Sequence, residues 1–295
     1  MKEKKLSKKT LIIIISAVAA LLIAAVVILC LFFANRTFTG AWELTVNPQV
    51  AQSTADEVPE SEKVYYVFDA PDKYGEGTWR TYYGGGVEHL TYELLEEDGV
   101  DKINLGSVNL EYKFTGSRLF GNAKIELIYP EQIDESTGQK TESEIYVLEQ
   151  ASAPDYEDSA FDEYNTDTSL LSKWTSNERT NAYYYYQIPY VQSVEFKDNG
   201  VMVIHYESED LALDRYMYYA YTTKDGELTF SLVTDKDTKY TVSYEFDANG
   251  NIKFLNDTTK CSIFADKIFG NFTYYTEKNL PKRSEASYDE LYFTE

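Results

Sequence analysis

The sequence predicts an all-β fold in two tandem antiparallel domains behind one N-terminal transmembrane helix, and three observations carry that prediction. From Leu11 to Phe33 the chain runs 23 residues without a charge. Beyond that run, short stretches rich in Val, Ile, Thr, Tyr and Phe alternate with Gly- and Asp-bearing turns. Finally, the order of those stretches restarts in the second half, offset by 127 to 132 residues.

The uncharged run comes first. A helix rising ~1.5 Å per residue carries it roughly 34 Å, enough to cross a hydrocarbon core about 30 Å thick. Five lysines against Glu3 give residues 1–10 a charge of +4, which keeps that basic end cytoplasmic and places the rest outside the cell. The run exceeds the ~7–15 residues of a signal-peptide core, and Phe32-Phe33-Ala34-Asn35 is no small-residue cleavage site. Leu29 ahead of Cys30 likewise makes no lipoprotein cysteine. The expectation is an uncleaved, single-pass anchor in the cell membrane, residues 11–33, with extracellular domains behind it.

In the first domain, residues 34–149, Phe38, Trp42, Leu44 and Val46 recur in step with a strand that has one buried face. Residues 47–62 are polar, hold two prolines and read as a loop. Strands are predicted at 64–68, 78–83, 90–95, 102–105, 108–114, 123–129 and 144–148. Asp98-Gly99 and Thr115-Gly116 supply residues that tolerate the backbone angles of tight turns.

Residues 150–168 carry Asp155, Glu157, Asp158, Asp162, Glu163 and Asp167. Mutual repulsion favours extension there, so the stretch reads as an acidic linker or long surface loop. Its acids lack the Asp-x-Asp-x-Asp-Gly spacing that converges oxygens on calcium. The second domain occupies residues 169–280, and residues 281–295 form a C-terminal tail.

The repeat is read from six matches in order. Leu171-Ser-Lys-Trp174 echoes Thr39-Gly-Ala-Trp42, and Val194-Glu-Phe196 with its following Asp-Asn-Gly turn echoes Tyr66-Val-Phe68. The Asp225-Gly226 segment echoes Asp98-Gly99, and Val242-Ser-Tyr-Glu-Phe246 echoes Leu110-Glu-Tyr-Lys-Phe114. Asn251-Ile-Lys-Phe254 echoes Lys124-Ile-Glu-Leu127, and residues 272–277 echo 145–149.

Each copy opens on a tryptophan. Gly40-Ala-Trp42, followed by about eight strands joined by hairpins, resembles the lipocalin-like (calycin-type) β-barrels. In that family a Gly-x-Trp on the first strand lays the indole across one end of the barrel. The resemblance implies two meander barrels with a core or small cavity, often without enzymatic activity, and gives Gly40, Trp42 and Trp174 a structural role. The second copy has Ser172 where the motif has glycine. Similar small barrels are tethered to the surface of Gram-positive bacteria.

Composition narrows the functional classes. The net charge is −22, and the basic end leaves −26 to the rest of the chain, which repels nucleic acid. Cys30 and Cys261 offer no intramolecular disulfide across the membrane run. His89 and His205 are the only histidines, with no thiolate partner for a zinc site, so neither a metal nor a cofactor is expected. Neither histidine follows a Gly-x-Ser-x-Gly elbow, and His205 reads as a strand-face residue. Gly84-Gly85-Gly86 lacks the Lys-Ser/Thr of a phosphate loop and reads as a bend between strands.

Twenty-seven tyrosines, including Tyr183 to Tyr186 and Tyr216, Tyr218, Tyr219 and Tyr221, suit either half-buried strand positions or a stacking platform for sugars. The expected function is non-enzymatic binding of a small apolar ligand, a glycan or a protein partner at the cell surface. A structural spacer with filled barrels is the alternative, and a carboxylate-dependent hydrolase the more distant one.

Overall fold

The computed structural model describes residues 18, 21–27, 37–48, 58–59, 62–106, 108–118, 121–133, 140–176, 190–208, 213–255, 269 and 273–279. Most of the uncharged run at 11–33, both cysteines, Tyr183 to Tyr186 and residues 281–295 lie outside them. Val18 and residues 21–27 are helical, and Leu21, Leu22, Ile23, Val26 and Val27 are all exposed. Among the described residues no helix is long and apolar enough to cross a membrane.

Among the described residues the remaining regular structure is eighteen strands. In the first half they are β1 (Gly40–Val46), β2 (Val64–Phe68), β3 (Glu76–Tyr83), β4 (Gly86–Glu97), β5 (Val100–Asn104), β6 (Asn109–Thr115), β7 (Lys124–Tyr129), β8 (Gln132–Ile133), β9 (Lys140–Thr141) and β10 (Glu144–Gln150). In the second half they are β11 (Lys173–Ser176), β12 (Tyr190–Phe196), β13 (Val201–Ser208), β14 (Leu213–Lys224), β15 (Glu227–Leu232), β16 (Asp235–Phe246), β17 (Ile252–Leu255) and β18 (Thr273–Thr276). The chain divides into two compact units. The first is Met1–Gln52, Val67–Thr78 and Thr91–Ser152; the second is Ser53–Tyr66, Trp79–Leu90 and Ala153–Glu295.

In the second unit β11 to β18 pair antiparallel in chain order, and β18 returns to β11. That closes an eight-stranded up-and-down barrel and leaves none of its strands at an open edge. Alternation along each strand sends one set of side chains inward. Trp174, Val194, Phe196, Ile204, Tyr206, Tyr219, Tyr221, Phe230 and Phe254 are among those buried. Phe254 and Phe269 stack 4.0 Å apart, with Phe230 set edge-on to Phe269 at 5.7 Å. Buried phenols find carbonyl partners: Tyr274 donates to the Phe269 oxygen at 2.9 Å and Tyr221 to the Lys197 oxygen at 2.7 Å.

In the first half the strand order is β4-β3-β2-β1-β10-β7-β6-β5, with β4 also paired to β5. Its core holds Phe38, Trp42, Phe68, Tyr92, Ile103, Leu110, Ile125, Leu127 and Leu148. β8 and β9 form a separate two-stranded hairpin.

Local details recur between the halves. Asp98-Gly99 (φ 55° and 76°) and Asp225-Gly226 (φ 51° and 79°) are left-handed pairs that turn β4 into β5 and β14 into β15. These are the angles that two-residue hairpin turns require. Tyr92 donates to the Asp69 carbonyl at 2.7 Å and meets Phe68 edge-on at 5.4 Å. Tyr221 does the same with Lys197, and meets Phe196 edge-on at 5.3 Å.

The acidic stretch is irregular from residue 151 and runs along the second unit. Tyr156 sits between Tyr82 and Tyr218, with ring centres 5.6 and 5.8 Å away. Glu157 pairs with Lys197, and its carbonyl accepts from Asn199 at 2.8 Å. Lys236 reaches the Ala160 carbonyl at 2.7 Å. Tyr164 packs against Gly200, where a Cβ would come within 2.7 Å of its ring. The Thr223 amide donates to the Asn165 carbonyl, and the Thr223 hydroxyl accepts from the Asp167 amide.

Candidate functional site

The Gly-x-Trp region of the first unit is built from the chain entering β1. Phe38 and Trp42 are fully buried, and the indole N–H donates to the Phe38 carbonyl at 2.6 Å. Phe38 in turn meets Phe68, Tyr112 and Phe114 at 5.2, 4.7 and 5.3 Å. Arg118 lays its guanidinium 4.8 Å from the indole centre and donates to the carbonyls of Thr37 (3.0 Å) and Thr39. Burial lowers the Arg118 pKa from its ordinary value, but a guanidinium remains charged at neutral pH.

Gly40 lies at φ +114°, and a Cβ there would touch Arg118 at an ordinary 3.5 Å. The backbone angle, not lack of space, is what calls for glycine. Sequence reading found Gly40 and Trp42 but not Arg118, because a lone arginine in a Ser-Arg-Leu loop carries no periodic or motif signal.

Trp174 repeats the indole bond, and among the described residues no cation is found on its ring. It is 2 % exposed and its indole N–H donates to the Leu170 carbonyl at 2.8 Å, again four residues upstream. Next to it Ser172, Lys173, Thr175 and Glu277 line a small polar depression of about 380 Å³.

The two histidines, distant in sequence, converge on Tyr216 of β14. His205 stacks on that ring at 4.3 Å, nearly parallel, and its Nε2 lies 2.6 Å from an Asp214 carboxylate oxygen. His89 of β4 approaches the same ring at 5.4 Å. An Asp–His pair is two parts of a hydrolytic triad, but among the described residues no serine, threonine or cysteine is hydrogen-bonded to the ring. The pair orients an aromatic stack, with Asp214 holding the His205 ring against Tyr216. Sequence reading placed His205 on a strand face and missed that both histidines meet Tyr216, which for His89 depends on the pairing of β4 with β14.

A wider groove of about 560 Å³ lies on the first unit, lined by Asp72, Glu76, Thr78, Thr91, Tyr92, Glu93, Asn104, Gly77 and Gly106. Much of that lining is committed to the fold. Asp72 accepts from the amides of Tyr74 and Glu76, and Asn104 bonds Asn109 and the Gly106 amide. Burial, then Asp69, pushes the Tyr92 phenol up to about 12, so it stays a neutral donor. Among the described residues no three His, Cys, Asp or Glu side chains are placed to hold a metal ion.

Gly84 and Gly85 (φ 56° and 77°) form the two-residue turn between β3 and β4, the bend expected there. The tyrosine run divides by strand alternation: Tyr219 and Tyr221 face the core, while Tyr216 and Tyr218 are half-buried.

The chain matches no family model, no curated protein and no solved structure.

Proposed function

We propose that the chain is a single-pass membrane protein presenting two lipocalin-like barrels outside the cell, and that it acts without catalysis, through its outer faces. The observation that carries the reading is the close packing of large side chains inside the β11–β18 barrel. Tyr206, Tyr219, Phe230, Phe254, Phe269 and Tyr274 each have 0 % exposure, and a side chain with no accessible surface borders no void that a water could enter. A carrier of small apolar molecules needs the opposite, a cavity of some 300 Å³ or more. Between a ligand carrier and a partner-binding or spacing module, the packing favours the module.

Duplication is supported by the shared strand order, by Trp42 and Trp174 donating to carbonyls four residues upstream, and by the matched Tyr92 and Tyr221 bonds. The anchor is supported by the apolar side chains exposed around residues 21–27, a surface that suits lipid. Native mass spectrometry of the purified full chain, freed of detergent in the gas phase, tests the module reading. The expected spectrum shows the chain mass alone; a stoichiometric apolar adduct would return the barrel to a carrier role.

A further inference from the structure

The hairpin tip Trp79–Leu90 belongs to the second unit, and its ladder with β14 has three residue pairs, Gly86 with Met217, Val87 with Tyr216 and Glu88 with Arg215, extended by the Tyr218 amide donating to the Gly85 carbonyl at 2.9 Å. So short a ladder is marginal by itself. Side chains on both of its faces reinforce it.

On one face Arg215 is 5 % exposed and reaches Glu88 at 3.3 Å and the Tyr83 carbonyl at 3.1 Å. It can lie there because residue 86 is glycine; a Cβ would stand 2.4 Å from its Nε and 2.7 Å from the Met217 sulfur. On the other face Val87, Tyr156 and Val233 are buried together, with Tyr82 and Tyr218 packed against them. Tyr156 comes from the acidic stretch, not from the hairpin. That same stretch is bonded farther along to Thr222 and Thr223 of β14.

We infer that the hairpin tip and residues 153–168 form one clasp on β14, which opens and closes as a unit while the β11–β18 barrel stays folded. Tyr156 couples the two parts, since its ring rests on Tyr82 of the hairpin and on Tyr218 of β14 at once. Neither part belongs to the barrel ladder. Its eight pairings close without them, and the filled core lies on the inner side of its strands. Groups that share buried contacts but stand outside the main core are the ones that open sub-globally.

Native-state hydrogen exchange on the full chain tests the clasp, comparing wild type with Arg215→Gln, Tyr156→Ala and the double variant. Each single change should raise exchange at residues 86–89 and at residues 165–167 together, by a similar factor of about ten or more. Peptides covering Val194 and Ile204 should keep their wild-type rates. The double variant should raise exchange at both sites alike, by about the product of the two single factors until the unit is fully open, because both changes lower the opening free energy of one unit. Faster exchange in the hairpin alone after Arg215→Gln would overturn the single-unit claim. An equal rise in the barrel peptides would overturn the claim that the clasp opens separately.

Discussion

Replacing Trp42 by alanine removes a buried side chain that the first unit uses for packing, a hydrogen bond and a cation contact at once. The indole is fully buried, its N–H holds the Phe38 carbonyl, and Arg118 rests on its face while bonding Thr37 and Thr39. Truncating a buried tryptophan costs ~3–5 kcal/mol from lost burial and the cavity left behind. The freed Phe38 carbonyl and the uncovered guanidinium act in the same direction, at ~1 kcal/mol each, though such contributions overlap. A loss of about 4 kcal/mol is a large part of the ~5–15 kcal/mol that holds a domain together. For a unit of this size it lowers Tm by roughly 15 °C. The assay is a thermal melt of the full chain, with hydrogen exchange assigning the loss to peptides covering β1, β7 and β10. Trp42→Phe keeps most of the volume, loses the N–H bond and should cost distinctly less. An unshifted melt for Trp42→Ala would show that the indole is not part of the core and would restore it as an exposed binding platform.

Two further outcomes follow from the same structure. Burial acts to raise the Asp167 pKa, but the Ser169 amide, the Tyr244 hydroxyl and the Ser169 hydroxyl outweigh it and hold the carboxyl below its usual value. A depressed folded pKa gives stability that is present above the unfolded value near 4 and is lost as pH falls through the folded one. Asp167→Asn should therefore flatten the acid limb of a stability–pH curve below about pH 4; a limb as steep as wild type refutes the assignment. For topology, protease added to intact cells should digest residues 46–295, and protection of that region would reverse the cytoplasmic placement of the N-terminus.

Much of the strand pattern was legible because two-residue alternation and turn chemistry are local. The stretches read at 64–68, 78–83 and 123–129 are β2, most of β3 and β7. Asp98-Gly99 is the left-handed turn its residues imply. What the sequence concealed is non-local. Arg118 reaches Trp42 across 76 positions of chain, and His89 meets Tyr216 only because β4 pairs with β14. Charge counting drew attention to the carboxylates of residues 150–168, while the groups that dock the stretch are mostly others. Tyr156, Tyr164 and the backbone of Asn165 and Ala160 make those contacts, and only Glu157 and Asp167 among the acids take part.

The aromatic excess has a physical account in the packing. An eight-stranded barrel has an interior just wide enough for side chains to fill. Long flat rings fill it with few residues per strand, and a phenol adds a hydroxyl that can bond a carbonyl near the rim. Tyr221 bonding the Lys197 carbonyl and Tyr274 bonding the Phe269 carbonyl do this, each closing a loop onto the core. Burial raises the Tyr218 and Tyr221 pKa values, which keeps these phenols neutral in the physiological range. Along β14 strand alternation divides the tyrosines: Tyr219 and Tyr221 fill the core, Tyr218 packs on Tyr156, and Tyr216 stacks on His205.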